Sequence, residues 1–203
     1  MTQIKRTQNT TPRGEALWAH TLVTEKFDGK DTGKFSIQIK LNKAETEALQ
    51  ALHEKEVERA KEDPAFKGKK WMPEPVLGIK EEKNGDLTFK FATKAEMKTR
   101  TGEVIKKVIP VFDAAGKPYK GPIGNGSIIK VRYTIAPYWM TKANNGVTLY
   151  LEAIQVLELV EYGGNRNASA YGFEAEEGFV ASEESGFDAP DAPMDTEDSE
   201  GDF

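Results

Sequence analysis

Lysine and arginine residues recur on one face of several predicted strands, an arrangement suited to holding the phosphate backbone of a nucleic acid. In the segment KFSIQIKL, Lys34 and Lys40 share one face and apolar side chains occupy the other. Lys90 lies on the polar face of a second strand, and Lys130 and Arg132 lie on that of a third. Because side chains alternate along a strand, a curved sheet would collect these cations on one outer surface and gain from counterion release. The alternative is that outward lysines only keep the protein soluble and protect sheet edges.

Aromatic side chains lie next to cations at two places in the sequence. Trp71 directly follows Lys69 and Lys70, and Tyr138 and Trp139 end the third basic strand. Single-stranded nucleic acid binds where a cationic groove adjoins rings that stack on bases, each stack contributing about 1–3 kcal/mol. We therefore predict that these five residues contact nucleic acid, although any one ring could instead belong to the core or its rim.

Residues for catalysis or metal binding are scarce. The chain has no cysteine, which excludes a disulfide framework, a zinc finger and a thiol nucleophile, and its two histidines are His20 and His53. The acidic residues of the central region lie beside turns without the clustering that a metal-dependent nuclease needs. The glycine-rich segment GPIGNGS opens a strand and lacks the lysine of a phosphate-binding loop. We therefore predict no catalytic residue, no metal and no cofactor.

The elements that must position the basic and aromatic residues are mostly strands. Asn42 is placed to cap a single helix over residues 43–63, which Pro64 ends. Asn84-Gly85 and Asn145-Gly146 predict hairpin turns, and a change of parity near Ala153 predicts a bulge. This pattern predicts a mainly β protein, an OB-fold-like small β-barrel with one inserted helix. The predicted strands cover residues 16–23, 34–41, 76–80, 87–92, 104–112, 128–138 and 147–160.

Charge divides the 203-residue chain unevenly. Residues 1–166 hold all 28 lysines and arginines against 21 acidic residues, a net +7, whereas residues 167–203 hold 12 acidic residues and no base. We predict a flexible leader over 1–14, a nucleic-acid-binding domain over 15–166 and a disordered acidic tail over 167–203. The tail would dock a partner protein through acidic side chains and an aromatic one. These residues are Asp195, Glu197, Asp198, Glu200, Asp202 and Phe203.

The chain resembles the single-stranded DNA-binding proteins of tailed bacteriophages. The resemblance rests on the acidic end 195–203, on residues 110–138, where a glycine-rich loop leads into a basic strand ending in aromatics, and on the order of barrel then tail. It implies an OB-fold body that coats and protects single-stranded DNA without strong sequence preference during replication, recombination and repair. It also implies that the tail recruits replication proteins such as a polymerase or helicase.

Two other functions stay open from the sequence. The protein could be a non-catalytic adaptor or structural protein that docks a partner through its tail, and a metal-dependent nuclease is a remote third possibility. No apolar run approaches the roughly 18 residues of a membrane span, and the first residues lack the apolar stretch of a secretory signal. We therefore expect no membrane association and a cytoplasmic location, that of the host cell for a phage protein.

Overall fold

The computed structural model describes residues 4–82, 85–99 and 101–161. The predicted acidic tail, including Asp195 to Phe203, lies outside the described residues. The described part contains one α-helix, α1 (Lys43–Glu62), and one short 3-10 helix (Pro64–Phe66). Its strands are β1 (Thr7–Thr10), β2 (Gly14–His20), β3 (Lys26–Phe27), β4 (Lys30–Asp31), β5 (Lys34–Lys40), β6 (Ile79–Glu81), β7 (Leu87–Lys94), β8 (Glu96–Lys98), β9 (Val104–Lys106), β10 (Val111–Phe112), β11 (Ile128–Thr141) and β12 (Asn144–Glu158).

Five strands close into a barrel. The strand β2 pairs with β5, β5 with β7, β12 with β11, and β11 with β2, all antiparallel. The ring closes where β7 meets β12 in parallel, with Ala92 opposite Tyr150. This mainly β architecture confirms the predicted OB-fold-like barrel, with α1 inserted after its second strand, β5.

The alternation predicted for the long strands is confirmed on the inner side of the barrel. One set of alternating positions is almost fully buried and forms the core, while α1 adds further apolar side chains. Burial of this apolar surface is the main favourable term in folding. The apolar and aromatic strand residues with at most 1% exposure are Ala16, Ile37, Ile39, Phe89, Phe91, Ile129, Val131, Tyr133, Ile135, Leu151 and Ile154.

The single helix begins and ends where the sequence predicts. The Asn42 side-chain oxygen accepts a hydrogen bond from the Glu45 backbone N–H at 2.9 Å, which satisfies one of the free donors of the first turn. The helix ends at Glu62, two residues before Pro64. No helix in the described ranges is long and apolar enough to cross a membrane.

His53 projects from α1 into the core and carries no charge there. Its Nδ1 lies 2.9 Å from the Leu77 carbonyl oxygen and its Nε2 lies 3.1 Å from the Tyr133 hydroxyl. The carbonyl can only accept, so Nδ1 carries the proton and Nε2 accepts from Tyr133. Burial lowers the pKa of His53 from 6.5 to about 4, against the opposing influence of the Leu77 carbonyl and of Glu56. His53 is therefore a neutral core residue.

The bulge predicted near Ala153 is confirmed, and its extra residue is Glu152. Arg132 lies opposite Ala153, but Tyr133 lies opposite Leu151, so the register skips Glu152. The bulge lets β12 keep its apolar side chains inside the barrel along both halves of its length.

Part of the predicted flexible leader is instead a strand. β1 pairs antiparallel with β11, from Thr7 opposite Ile135 to Thr10 opposite Arg132. The helix holds this strand in place, because the Thr7 hydroxyl donates to the Glu56 carboxylate at 3.0 Å and the Arg59 guanidinium donates to the same carboxylate. Sequence alone did not indicate this pairing, because TQNT has no apolar alternation.

Two further expectations about strands and turns were wrong. The predicted strand over 104–112 is two separate strands, β9 and β10, because β9 turns back to pair with β8. This β8–β9 hairpin is called the arm below. Asn145 and Gly146 do not form the turn of the β11–β12 hairpin; they lie within β12, opposite Trp139 and Tyr138.

Candidate nucleic-acid interface

Asn145 and Gly146 fasten the loop after α1 to the end of the β11–β12 hairpin. The Asn145 side chain accepts from the Met72 N–H at 3.0 Å and donates to the Thr141 carbonyl at 2.9 Å. The Asn145 carbonyl accepts from the Val76 N–H at 2.9 Å. A Cβ on Gly146 would lie 2.1 Å from the Val76 oxygen, so only glycine permits this approach. The Asn-Gly pair therefore holds the loop after α1 against the end of the β11–β12 hairpin.

Five of the predicted site residues lie on the two segments that this contact joins and are here called the tip cluster: Lys69, Lys70, Trp71, Tyr138 and Trp139. The Trp139 indole N–H donates to the Lys70 carbonyl at 3.0 Å, and the Lys69 ammonium lies 4.4 Å from the Trp139 ring centre. The Trp71 indole N–H has no hydrogen-bond partner among the described residues. The tip cluster thus combines half-buried rings with exposed cations, as base stacking beside a phosphate backbone requires.

Two other predicted cations, Lys40 and Lys90, are already paired. Lys40 forms an ion pair with Asp86, which raises the pKa of Lys40, and the Lys90 ammonium lies 2.5 Å from a Glu25 carboxylate oxygen. Partial burial opposes ionisation of Glu25, but the Lys90 hydrogen bond and charge outweigh it and hold the pKa of Glu25 below its usual value. These two lysines therefore offer little free charge to a ligand.

The outer side of β5 is also covered, which the alternation did not predict. The alternation in KFSIQIKL puts Ser36 and Gln38 on the same predicted solvent face as Lys34 and Lys40, but they are 2% and 5% exposed. The Thr88 hydroxyl donates to the Gln38 side chain at 2.9 Å, and Thr88 is itself fully buried. The predicted basic surface is therefore interrupted across β5 and β7.

Of the remaining three predicted cations, Lys34 is exposed and Lys130 and Arg132 are half-buried. Lys130 forms no ion pair with the described residues, and Arg132 donates to Gln8 at 2.9 Å with the Glu152 carboxylate 3.8 Å away. Lys34 is exposed and lies directly opposite Lys94 across the β5–β7 pair. Like charges in that position repel each other, so an anion between them would be stabilising.

A groove that the sequence did not predict lies between the arm and β12. Its volume is about 960 Å³, and its exposed apolar side chains come from the arm and the residues after it. The Tyr150 ring faces it, with the Arg6 guanidinium 5.7 Å from the ring centre. We call this cavity the arm groove. The residues that line it are Arg6, Gln8, Thr93, Lys94, Met97, Ile105, Lys106, Lys107, Val108, Thr134, Tyr150 and Glu152.

The arm groove continues the outer surface of the barrel. Registers place Ser36 opposite Ala92, Ala92 opposite Tyr150, Tyr150 opposite Thr134, and Thr134 opposite Gln8. These five residues form one row across β5, β7, β12, β11 and β1. The signal available in the sequence was the density of lysine from residue 94 to residue 107, but only the pairing of β8 with β9 shows which lysines border Tyr150.

No group of three or more histidine, aspartate or glutamate side chains able to hold a metal ion occurs within residues 4–82, 85–99 and 101–161. The two histidines also lie in different settings, His53 in the core and His20 half-buried beside Trp18 in a surface cavity. The exposed cations and the rings of the tip cluster and the arm groove suit binding of a polyanion.

Comparison with known proteins gives related sequences from phages. A single-stranded DNA-binding protein of Escherichia phage T7 is 33% identical over 133 residues, which cover 59% of this chain and 57% of that protein. A single-stranded DNA-binding protein of Enterobacteria phage T3 is 34% identical over 105 residues, covering 49% of this chain and 45% of the relative. The matched stretch thus spans about half the length of these curated relatives.

Solved structures show the same fold. The crystal structure of gp2.5, a single-stranded DNA-binding protein encoded by bacteriophage T7, is 26% identical with a TM-score of 0.57, covering 88% of this chain and 100% of that one. The single-stranded DNA-binding protein from bacteriophage Enc34 in complex with ssDNA has a TM-score of 0.54, covering 77% of this chain and 89% of that one. At 14% identity the latter shows similarity of fold alone.

The family model described as "Single-stranded DNA-binding protein, Bacteriophage T7" matches residues 6–159. That stretch contains the five barrel strands, α1, the tip cluster and the arm groove. The chain therefore belongs to the bacteriophage T7 family of single-stranded DNA-binding proteins.

Proposed function

We propose that the protein binds single-stranded DNA without strong sequence preference and protects it during phage DNA replication, recombination and repair. The observation that carries this proposal is the tip cluster, where half-buried rings adjoin exposed lysines on a closed barrel. Membership of a family named for single-stranded DNA binding supports the same ligand.

Phosphate contacts supply most of the affinity in this proposal. Lys34, Lys130 and Arg132 present their charge on the outer surface of the barrel, and Lys69 and Lys70 present theirs at the hairpin end. Each phosphate neutralised releases counterions, so affinity falls as salt rises. Lys40 and Lys90 contribute less than the sequence suggested, because Asp86 and Glu25 already neutralise them.

Base contacts supply the preference for single strands. Trp139 and Trp71 provide ring faces or edges for unstacked bases, and Tyr138 lies beside Trp139 on β11. Stacking tolerates any base because every base has a π-face, which accounts for weak sequence preference. No catalytic step is part of the proposed function.

The acidic segment 167–203 is proposed to recruit replication proteins such as a polymerase or helicase, through the acidic residues from Asp195 to Asp202 and through Phe203. Its charge of −12 opposes the +7 of residues 1–166, so at low salt it competes with DNA for the same cations. DNA binding then frees the segment for a partner, and the coupling is reciprocal. These events would take place in the cytoplasm of the host cell.

The test is a titration of the full chain with labelled oligonucleotides at low and high salt. We expect tight binding to single strands of differing base composition, weaker binding to duplex, and affinity that falls steeply with salt. Failure to bind any oligonucleotide while a partner protein still binds would favour the adaptor function. The same titration is repeated with a variant that lacks residues 167–203. We expect this variant to bind DNA more tightly than the full chain, and the difference to be largest at low salt.

A further inference from the structure

The arm groove is lined by more cations than carboxylates, with Arg6, Lys94, Lys106 and Lys107 against Glu152, and Glu96 lies opposite Lys106 across the arm. Lys94 lies directly opposite Lys34, and neither these two nor Lys106 and Arg6 form an ion pair with the described residues. Among the residues that line the groove, Glu152 carries the one negative charge, and hydrogen bonds from Gln8 and Thr134 hold its carboxylate. The groove is thus suited to an anionic ligand.

The same groove exposes an aromatic ring opposite apolar side chains. Tyr150 is 37% exposed on the outer face of β12, while Met97 and Ile105 of the arm are 62% and 48% exposed and Val108 is 79% exposed. The Arg6 guanidinium lies over the Tyr150 ring at 5.7 Å, within the range of a cation–π contact. A planar group with an attached anion fits this site, because its flat face can pack against Tyr150 and the apolar side chains while its anion contacts the cations.

We propose that the arm groove takes an unstacked nucleobase of single-stranded DNA onto Tyr150, and that this contact separates single-stranded from duplex DNA. The base lies between the ring and the apolar side chains of the arm, while Lys94 and Lys106 hold the flanking phosphates. Arg6 leaves the ring face and pairs with a phosphate. A duplex keeps its bases stacked and paired, so it reaches the lysines but not the ring. This inference rests on the proposed function and adds a specificity site to it.

The arm offers a matched pair of apolar side chains for the test. Ile105 lines the groove, whereas its neighbour Val104 does not, and the two are 48% and 45% exposed. Tyr150→Phe keeps the ring and Tyr150→Ala removes it, and neither changes the charge of the groove at neutral pH. Thermal unfolding of each variant reports whether the fold is kept.

The experiment measures Kd of the full chain for a labelled single strand and for a hairpin duplex at two salt concentrations. We expect Tyr150→Ala to weaken single-strand binding about ten-fold with unchanged salt slope and unchanged duplex affinity. Tyr150→Phe should bind within about two-fold of the original protein, and Ile105→Ala should weaken single-strand binding more than Val104→Ala.

Three results would overturn the inference, and they are distinguishable. If Tyr150→Ala binds single strands as the original protein does, the ring is not a base site and the exposed arm is assigned to protein contacts. If single-strand and duplex affinity fall equally, the groove does not discriminate between them. If the original protein binds no single strand at all, the proposed function fails together with this inference.

Discussion

The outer faces of β5–β7 and of β11–β12 both present cations, Lys40 and Lys90 on the first and Lys130 and Arg132 on the second. On the first face each lysine has a carboxylate partner, and the neighbouring polar side chains are buried. On the second face Lys130 has no ion-pair partner among the described residues, and Arg132 faces a carboxylate only at 3.8 Å. The same alternation thus gives one covered face, on which both lysines are paired, and one open face, on which Lys130 is unpaired and Arg132 has only the more distant carboxylate of Glu152.

The difference arises from what the connecting segments do. The loop between β2 and β5 carries Glu25 to Lys90, and the residues before β7 carry Asp86 to Lys40. No segment in the described ranges brings a carboxylate into an ion pair with Lys130, and the loop after α1 instead contacts the hairpin end through Asn145. Alternation therefore predicts which side of a strand a residue occupies, but connections decide whether that side stays free.

The largest effect is expected from Asn145→Ala, which would detach the tip cluster from the open face. The change removes a fully buried side chain and leaves the half-buried Met72 N–H and the Thr141 carbonyl without their partner. We expect a loss of about 3–4 kcal/mol in the free energy of unfolding, measured with urea, and weaker binding of single-stranded DNA. Asn144→Ala is the control, because Asn144 is exposed and accepts one hydrogen bond from Tyr138. Equal stability of the two variants would contradict the docking role.

The second prediction concerns the core beneath the open face. His53 has a pKa of about 4 when folded against 6.5 when unfolded, so the unfolded state binds a proton first as pH falls. The contribution of neutral His53 is fully present above pH 6.5 and is lost progressively between about 6.5 and 4. It amounts to about 3 kcal/mol at about 1.36 kcal/mol per unit of pKa.

The measurement is the free energy of unfolding at pH values from 7 to 4. His53→Gln should flatten the pH dependence over this interval. A His53→Gln variant that keeps the full slope would show that carboxylates, not His53, cause the acid destabilisation.

Much of this architecture could be predicted from the sequence, and the parts that could not share one cause. The strands around Ile37, Phe89 and Val131 alternate clearly, and the cap at Asn42 has the side chain that a helix start needs. Where the role of a residue depends on contact with a segment distant in sequence, the local sequence pattern gave a wrong prediction. Asn145-Gly146 has the composition of a hairpin turn but serves contacts with Met72 and Val76.

The candidate nucleic-acid interface also has a part that could be predicted from the sequence and a part that could not. The tip cluster could be predicted because its cations and rings are adjacent in sequence, and the structure brings Lys69 and Lys70 into contact with Trp139. Arg6 and Tyr150 could not be found in this way, because 144 positions separate them and only the pairing of β1, β11 and β12 brings them together. Local spacing therefore reveals a site built from one or two segments and misses one built across a sheet.

The third prediction compares the two faces directly. Lys130→Gln with Arg132→Gln should weaken single-strand binding about ten-fold and reduce the salt slope by about two, one unit for each lost phosphate contact. Lys40→Gln with Lys90→Gln should change the slope little, because carboxylates already neutralise both. Lys43→Gln with Lys55→Gln on α1 is a control of equal charge, placed among acidic residues. Equal effects from all three pairs would mean that net charge alone drives binding.

The smallest effect is expected from Glu25→Gln, which frees the charge of Lys90 on the β5–β7 face and so makes that face more like the β11–β12 face. The change removes the charge that neutralises Lys90 while keeping a side chain able to accept its hydrogen bond. Single-strand affinity should rise about two-fold at low salt, with a slope increase of less than one, because Ser36 and Gln38 still lie beneath covering segments.

Asp31→Asn isolates the local contribution, because it removes one negative charge from the same loop without touching Lys90. Asp31 lies on β4 and accepts from the Gly33 N–H at 2.7 Å, a hydrogen bond that the asparagine oxygen can also accept. If freeing Lys90 is what matters, Glu25→Gln should raise affinity more than Asp31→Asn. If both raise it equally, the gain is a long-range effect of net charge. The two faces would then differ in the charge around them rather than in the pairing of individual lysines.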